Sequence, residues 1–204
     1  MKTLIAVPAK HIFPVEFVIN LFALVDEIKK ISGCKVRIDT TTPLQTSREN
    51  LVGAALNGEF SHIFFIDADV IVPYNAFEIL ARKKKDIING VYFQSCEPYN
   101  VVAKKDGKLL DVQANQLYEV DYCGLGCSLI KTSVFEKVQR PYFKFENDEG
   151  EDVYFFRKCR DAGFKVFLDS SVVCRHWGSA TGLENYLWVR EAEKRGLKSP
   201  VANP

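Results

Sequence analysis

The chain has 204 residues, of which 47% are hydrophobic and 26% charged, and its formal net charge is +1 at pH 7. This length is typical of a single domain with a sizeable core, because domains usually span about 100–200 residues. The near-neutral balance argues against the basic footprint of a nucleic-acid-binding protein, so no nucleic-acid partner is expected.

The chain shows no targeting or membrane-spanning segment. Lys10 and His11 interrupt the first short apolar stretch, so no secretory signal peptide is expected. No apolar run approaches the roughly 18 residues that cross a bilayer. We therefore expect a soluble, cytoplasmic protein (in the host cytoplasm if the source is a virus). The basic run from Arg82 to Lys85 predicts a solvated helix end, with a patch for an anionic membrane or an acceptor as the alternative.

The cysteines are scattered along the chain, and none forms a Cys-x-x-Cys pair, which argues against a zinc site. They are Cys34, Cys96, Cys123, Cys127, Cys159 and Cys174. Buried free thiols are expected in a reducing compartment, and a disulfide is the alternative for a hyperthermophilic source.

The first third of the chain alternates strands and helices. Apolar runs predict three strands, over residues 3–7, 35–38 and 61–66. Apolar residues at helical spacing predict a helix that follows Pro14 and ends before Gly33. Ser47 is expected to cap a second helix over 48–57. This alternation predicts an α/β fold with a parallel sheet and right-handed crossovers.

The rest of the chain adds a hairpin and shorter elements. Helices are predicted over 75–84, from Thr132, over 152–162 and over 183–195, and strands over 86–93, 117–122, 127–131, 164–168 and 172–174. The segment 101–112 predicts a hairpin with Asp106 and Gly107 at its tip. We expect one domain over residues 1–198 and a frayed tail over 199–204.

Two aspartates follow the third predicted strand. Asp67 and Asp69 are two residues apart, so their side chains lie on one face of an extended chain. A divalent cation held by carboxylates and substrate phosphates offsets the cost of such a pair, and a solvated turn is the alternative. Asp39, Pro8 and Ala9 also follow predicted strands, and ligands bind at the carboxyl ends of parallel strands. The sequence therefore predicts a ligand site on this rim.

Four segments occur in the order typical of GT-A glycosyltransferases, and the chain resembles the inverting family 2 type. They are Ile5-Ala6-Val7-Pro8, Thr46-Ser47-Arg48-Glu49-Asn50, Phe65-Ile66-Asp67-Ala68-Asp69-Val70 (similar to the DxD motif), and Gly150-Glu151-Asp152 with Arg157, followed by His176. The resemblance covers about residues 3–178. It implies a single GT-A domain with a Rossmann-like, mainly parallel central sheet flanked by helices, and a small antiparallel hairpin region.

The resemblance also implies a metal site. Asp69 corresponds to the main metal ligand, Asp67 to a residue that contacts the ribose or a metal-bound water, and His176 to a third ligand. The implied cofactor is Mn²⁺ or Mg²⁺, and an imidazole ligand suits Mn²⁺ better. For His176 alone, a histidine in the core or on the surface is the alternative.

The resemblance assigns the donor and acceptor sites as well. The residues implied to bind the nucleotide-sugar are Pro8, Ala9, Asp39, Arg48, Asp67, Ala68, Gly124 and Gly126. Asp152 corresponds to the catalytic carboxylate that activates the acceptor, and Glu151 is the competing candidate. The alternatives are structural: a surface arginine at Arg48, a tight turn at the glycines and an acidic helix start around Asp152. Trp177 and Trp188 are expected in packing roles, with stacking on a sugar as the alternative.

The implied activity is metal-dependent transfer of a sugar, with inversion, from a UDP- or GDP-sugar to a hydroxyl of a glycan, protein or lipid acceptor. Pro8-Ala9-Lys10 departs from the Pro-Thr-Tyr-Asn of many relatives, and Asp39 stands alone where an acidic pair is usual, so the base stays open. A nucleotidyltransferase is the second hypothesis, although the chain lacks a Gly-rich phosphate loop after the first strand. A non-catalytic nucleotide-binding, sugar-binding or assembly protein is the third.

Overall fold

The structure is a computed structural model that describes residues 1–9, 13–94, 99–146 and 149–177, together with residues 187, 190, 191, 194 and 195. Its helices are α1 (Val15–Lys29), α2 (Leu44–Asn57), α3 (Ala76–Arg82), α4 (Thr132–Lys137) and α5 (Glu151–Asp161). Its strands are β1 (Lys2–Pro8), β2 (Gly33–Asp39), β3 (His62–Ile66), β4 (Val70–Ile71), β5 (Ile87–Val91), β6 (Ala103–Lys105), β7 (Lys108–Leu109), β8 (Leu117–Val120), β9 (Tyr122–Cys123), β10 (Cys127–Lys131), β11 (Val166–Val173) and β12 (Arg175–His176).

A central sheet organises the described part of the chain. Its seven strands lie in the order β2-β1-β3-β10-β5-β11-β8. Strands β2, β1, β3, β5 and β11 point the same way, and β10 and β8 run against them. The sheet is thus mixed and mainly parallel, as the alternation of elements predicts. The predicted hairpin forms between β6 and β7, and β9 joins it in a three-stranded antiparallel sheet.

Helices cover both faces of the central sheet. Side chains alternate along each strand, so Leu4 and Ala6 face one core cluster while Ile5 and Val7 face the other. Helices α2, α4 and α5 bury their apolar faces in the first cluster, and α1 and α3 bury theirs in the second. The result is a three-layer α/β fold. No helix in the described segments is long and apolar enough to cross a membrane.

Two local predictions are wrong in detail. Helix α2 begins at Leu44, after Pro43, so Ser47 lies inside the helix, where its hydroxyl donates to the carbonyl of Asp39 at 2.9 Å and does not cap. The predicted strands 164–168 and 172–174 are one strand, β11, whose pairing with β5 shifts register after Asp169. Polar residues lie in the middle of β11, and the hydroxyl of one of them, Ser170, donates to the carbonyl of Gln113 at 2.6 Å.

Some predictions fall outside the described residues. They are most of the helix over 183–195, the tail over 199–204, Cys96 and Trp188. The other cysteines are free thiols, as expected.

Candidate active site

A cleft of about 750 Å³ opens at the carboxyl end of the central sheet. Its lining consists of Pro8, Ala9, Phe13, Pro14, Thr41, Thr42, Leu44, Asp67, Ala68, Asp69 and Trp177. The strand ends of β1 and β3 supply one wall, as expected from the topology. Apart from the two aspartates, this lining carries no charge among the described residues. The cleft is therefore an apolar trough with an acidic floor.

A tight turn after β3 presents the two aspartates. The backbone N–H of Val70 donates to the carbonyl of Asp67 at 3.0 Å and starts β4. Strand β4 pairs with β12 in antiparallel fashion, which sets His176 opposite Val70. The N–H of Trp177 donates to the carbonyl of Asp69 at 2.7 Å. This pairing brings the backbone of His176 next to the turn that carries Asp69, and its role as a metal ligand stays a prediction.

The histidine is held in a defined orientation. His176 Nδ1 lies 2.5 Å from the carbonyl oxygen of Phe93, so Nδ1 carries the proton and donates it. The ring also meets Tyr92 edge-on at a centroid distance of 5.1 Å. A backbone carbonyl on the second ring nitrogen is the usual support of a metal-binding histidine.

Arg48 does not line the cleft itself but contacts Asp67, which does. Its side chain is 2% exposed, and it donates to Asp67 Oδ1 at 2.8 Å and to Glu151 Oε1 at 3.1 Å. Burial opposes the charge, yet the two carboxylates raise the pKa of Arg48, so the guanidinium stays charged. Burial raises the pKa of Asp67, which Arg48 counteracts. Arg48 therefore joins β3 to α5 and supports the acidic floor.

Helix α5 begins at the second implied acidic motif. Gly150 precedes it in extended conformation, and Phe155 and Phe156 anchor the helix in the core. Glu151 is 6% exposed and paired to Arg48. Burial and the neighbouring charge of Glu151 raise the pKa of Asp152 to about 6, although the N–H of Val153 donates to it. A pKa of about 6 suits a carboxyl group that acts as a general base near neutral pH.

The two glycines make room for a tyrosine. A Cβ on Gly124 would lie 1.7 Å from the hydroxyl oxygen of Tyr92, and a Cβ on Gly126 would lie 3.2 Å from its ring and 3.1 Å from Asp67 Oδ2. The N–H of Gly126 donates to the Tyr92 hydroxyl at 3.2 Å. Neither glycine lines the cleft. Sequence reasoning missed Tyr92, although two glycines so closely spaced are a signal that a bulky neighbour needs space.

Two further residues lie next to or in the cleft. Asp39 ends β2 beside Pro8, as expected, and its side chain lines a second cavity along α2; its implied contact with a base stays a prediction. Trp177 is not in the core: it is 52% exposed and lines the cleft, which favours the stacking alternative.

The donor set suits a hard divalent cation in its chemistry. Asp67 and Asp69 offer carboxylate oxygens and His176 an imidazole, a combination typical of Mn²⁺ sites. Within the described segments no three His, Cys, Asp or Glu side chains already converge as a metal site. A metal ion would therefore have to draw Asp69 and His176 together, with Arg48 holding Asp67.

Comparisons with known proteins agree on the fold. No protein-family model matches the chain, and no curated protein matches it in sequence. A crystal structure of A197 from STIV is similar with a TM-score of 0.65 and 22% identity, over 87% of this chain and 86% of that one. A structure of GalNAc-T7 with UDP, GalNAc and Mn²⁺ is similar with a TM-score of 0.54 and 15% identity, over 94% of this chain and 48% of that one.

UDP-glucose pyrophosphorylase complexed with UDP-glucose is also similar, with a TM-score of 0.54 and 12% identity, over 96% of this chain and 99% of that one. Identities this low indicate a shared architecture and not a shared activity. The chain therefore has an α/β fold like that of GT-A glycosyltransferases and of proteins that bind nucleotide-sugars.

We predict that Gly124→Ala lowers the free energy of unfolding by about 1–3 kcal/mol, because the new methyl group overlaps Tyr92 in a packed core. Chemical denaturation measures the effect. The matched control is Gly53→Ala in α2, where a Cβ meets its nearest neighbour at 3.6 Å and stability should not fall. In a Tyr92→Leu background, Gly124→Ala should cost little. Equal costs in both backgrounds would contradict the packing assignment.

We also predict a pH-dependent effect of Asp152→Asn in protein freed of metal by a chelator. The folded-state pKa of Asp152 is raised from 3.8 to about 6, so this group stabilises the fold fully below pH 3.8 and loses that contribution as the pH rises through 6. Asn carries no charge to bury, so the variant should be more stable than the parent above pH 6, by at most about 3 kcal/mol.

Denaturation midpoints between pH 4 and 8 test this expectation. Asp161→Asn, at the far end of the same helix, controls for the loss of a carboxylate. An Asp152→Asn advantage that is the same at every pH would overturn it.

Proposed function

We propose that this chain is a metal-dependent, inverting glycosyltransferase that moves a sugar from a nucleoside-diphosphate sugar to an acceptor hydroxyl. The observation that carries the proposal is the cleft: two carboxylates, Asp67 and Asp69, lie in a lining that has no Lys or Arg among its described residues. An anionic diphosphate cannot bind such carboxylates unaided, so a divalent cation has to lie between them.

The donor site is formed by the strand ends. Pro8 and Ala9 of the β1 end and Ala68 between the aspartates give an apolar wall for the nucleoside. Thr41 and Thr42 add hydroxyls on the facing side. Mn²⁺ or Mg²⁺, when bound by Asp67, Asp69 and His176, neutralises the charge that develops on the leaving diphosphate.

The remaining steps are assigned to side chains of the protein. Asp152 takes the proton of the acceptor hydroxyl. At the same time the hydroxyl oxygen bonds to the anomeric carbon of the donor sugar, and the bond between that carbon and the diphosphate oxygen breaks. This single displacement inverts the anomeric configuration. Glu151 is committed to Arg48 at 3.1 Å, so it positions the arginine and is the weaker candidate base. Trp177 offers its exposed ring to a sugar face at the mouth of the cleft.

A nucleotidyltransferase is the second candidate, favoured by the likeness to UDP-glucose pyrophosphorylase. The two reactions release different products from the same donor class: nucleoside diphosphate from glycosyl transfer, and nucleoside triphosphate from pyrophosphorolysis. The protein is incubated with UDP-glucose and Mn²⁺, together with pyrophosphate and a mixture of sugar acceptors, and the nucleotides are separated by ion-exchange chromatography; UDP reports transfer of glucose to an acceptor or to water. Formation of UTP would favour the second candidate. A non-catalytic protein would give neither product.

We predict that UDP or GDP binds only together with a divalent cation, and that Asp69→Ala abolishes both this binding and turnover. Removal of one of two carboxylates leaves too few anionic ligands for a cation that must also hold the diphosphate. Isothermal titration of UDP and GDP, each with Mn²⁺ and with excess chelator, measures the effect.

The control for charge is Asp106→Asn at the tip of the β6–β7 hairpin, which should bind normally. His176→Ala should bind nucleotide only at a higher Mn²⁺ concentration and should stay folded without metal, with a melting temperature lowered only by loss of the contacts to Phe93 and Tyr92; a far lower melting temperature would support a core role instead. Full turnover in excess chelator would exclude the metal role.

We predict that Asp152→Asn lowers the turnover number by about 10²–10⁴-fold, the usual cost of removing a general base, while donor affinity stays near normal. In the parent, kcat/KM should fall as the pH drops below about 6, because the protonated carboxyl cannot accept a proton. Steady-state kinetics across pH 5–8 and NMR of the product measure both.

Glu151→Gln distinguishes the role of Glu151 from that of Asp152. It should affect turnover less and stability more, because buried Arg48 then loses one of its two carboxylates. Retained anomeric configuration in the product would refute single displacement, and a fully active Asp152→Asn would refute the assignment of the base.

A further inference from the structure

A second cavity, of about 370 Å³, runs along helix α2 beside the edge strand β2. Its polar lining comprises Arg37, Asp39, Glu49, Asn50, Asn57 and Arg140. The small residues Gly53 and Ala54 form the rest of its wall. It shares no lining residue with the cleft. We refer to it as the α2 groove.

The two carboxylates of the α2 groove accept hydrogen bonds from the backbone. Glu49 Oε1 accepts the backbone N–H groups of Tyr142 and Phe143, the latter at 2.9 Å. Asp39 Oδ1 accepts the N–H of Thr41 at 2.9 Å. Both carboxylates thus brace loops, and one oxygen of each already accepts from the backbone.

The two arginines of the α2 groove form no ion pair with the described residues. Arg37 and Arg140 are exposed, and neither lies within 4.0 Å of a carboxylate oxygen of the described residues. The Arg140 guanidinium lies over the Tyr142 ring, 5.4 Å from its centroid, which orients the group without using its N–H donors. Gly53 faces this group, since a Cβ there would lie in ordinary van der Waals contact with Arg140 Nη2, at 3.6 Å.

We propose that the α2 groove binds a small ligand through a phosphate-type oxyanion held by Arg37 and Arg140. Guanidinium groups match phosphate oxygens with paired N–H donors, and the Asn57 amide lies in the same lining. The volume of the groove is within the usual range for small-molecule sites, about 300–1,000 Å³. The proposal does not depend on the activity proposed for the cleft.

The test is titration of the full chain with inorganic phosphate and, separately, with AMP, in excess chelator so that the cleft cannot hold a metal-bound phosphate. Chemical-shift changes of ¹⁵N-labelled protein report the affinity. We expect saturable binding that is unchanged in Asp69→Ala and at least about tenfold weaker in Arg37→Ala/Arg140→Ala, because two charge-assisted pairs are lost. Tighter binding of AMP than of phosphate identifies a phosphate ester as the ligand, and equal binding identifies free phosphate.

Two further variants make the result specific. Lys35→Ala removes the same charge from the same face of β2 but lies outside the groove lining, so its binding should match that of the parent. Gly53→Asp places a carboxylate beside Arg140 and should weaken binding even if the double variant does not fold. Absence of saturable binding, binding that survives both groove variants, or binding that needs Mn²⁺ and Asp69 would each overturn the proposal.

Discussion

The candidate site depends on one buried cation. Arg48 joins Asp67 at the end of β3 to Glu151 at the start of α5, in a place where its side chain is almost fully removed from water. Removing one member of a buried ion pair typically costs about 3–5 kcal/mol, because the remaining charge has no partner. The link fixes where α5 starts relative to the sheet, and Asp152 follows one residue later. The acidic rim and the candidate base are thus positioned by a single guanidinium group.

The same link leaves the site with too little positive charge. Arg48 faces Asp67 and Glu151 directly, while Asp69 and Asp152 add two more carboxyl groups nearby. Protonation of Asp152, whose pKa is raised to about 6, relieves part of this imbalance below that pH. A divalent cation in the cleft would relieve it differently, by stabilising carboxylates in their charged form. Under the proposed function, metal binding and the charge state of Asp152 are therefore linked through electrostatics across the rim.

The sequence predicts local features of this protein well and long-range ones unevenly. Alternating apolar runs predict the order of elements and the parallel sheet, because burial on two faces leaves a strong pattern. The rim position of Asp67 follows from the same topology. The burial of Arg48 could not be read from the chain, since its partner Glu151 lies in a distant helix, and pairing of this kind depends on tertiary packing. The position of Asp39 at the end of β2 is confirmed, but a strand end specifies only the rim and not which of two cavities a side chain lines.

The small antiparallel pairing of β4 with β12 has a consequence for how the site comes into existence. It joins the turn that carries the aspartates to a segment near the end of the described chain, so Asp69 and His176 become neighbours only after almost every other strand is in place. Contacts between residues so distant in sequence form late, since closing the intervening loop costs entropy. A partly synthesised or partly folded chain consequently lacks the arrangement of Asp69 and His176. Under the proposed metal role, binding of a cation would therefore follow the pairing of β4 with β12 and would not initiate folding.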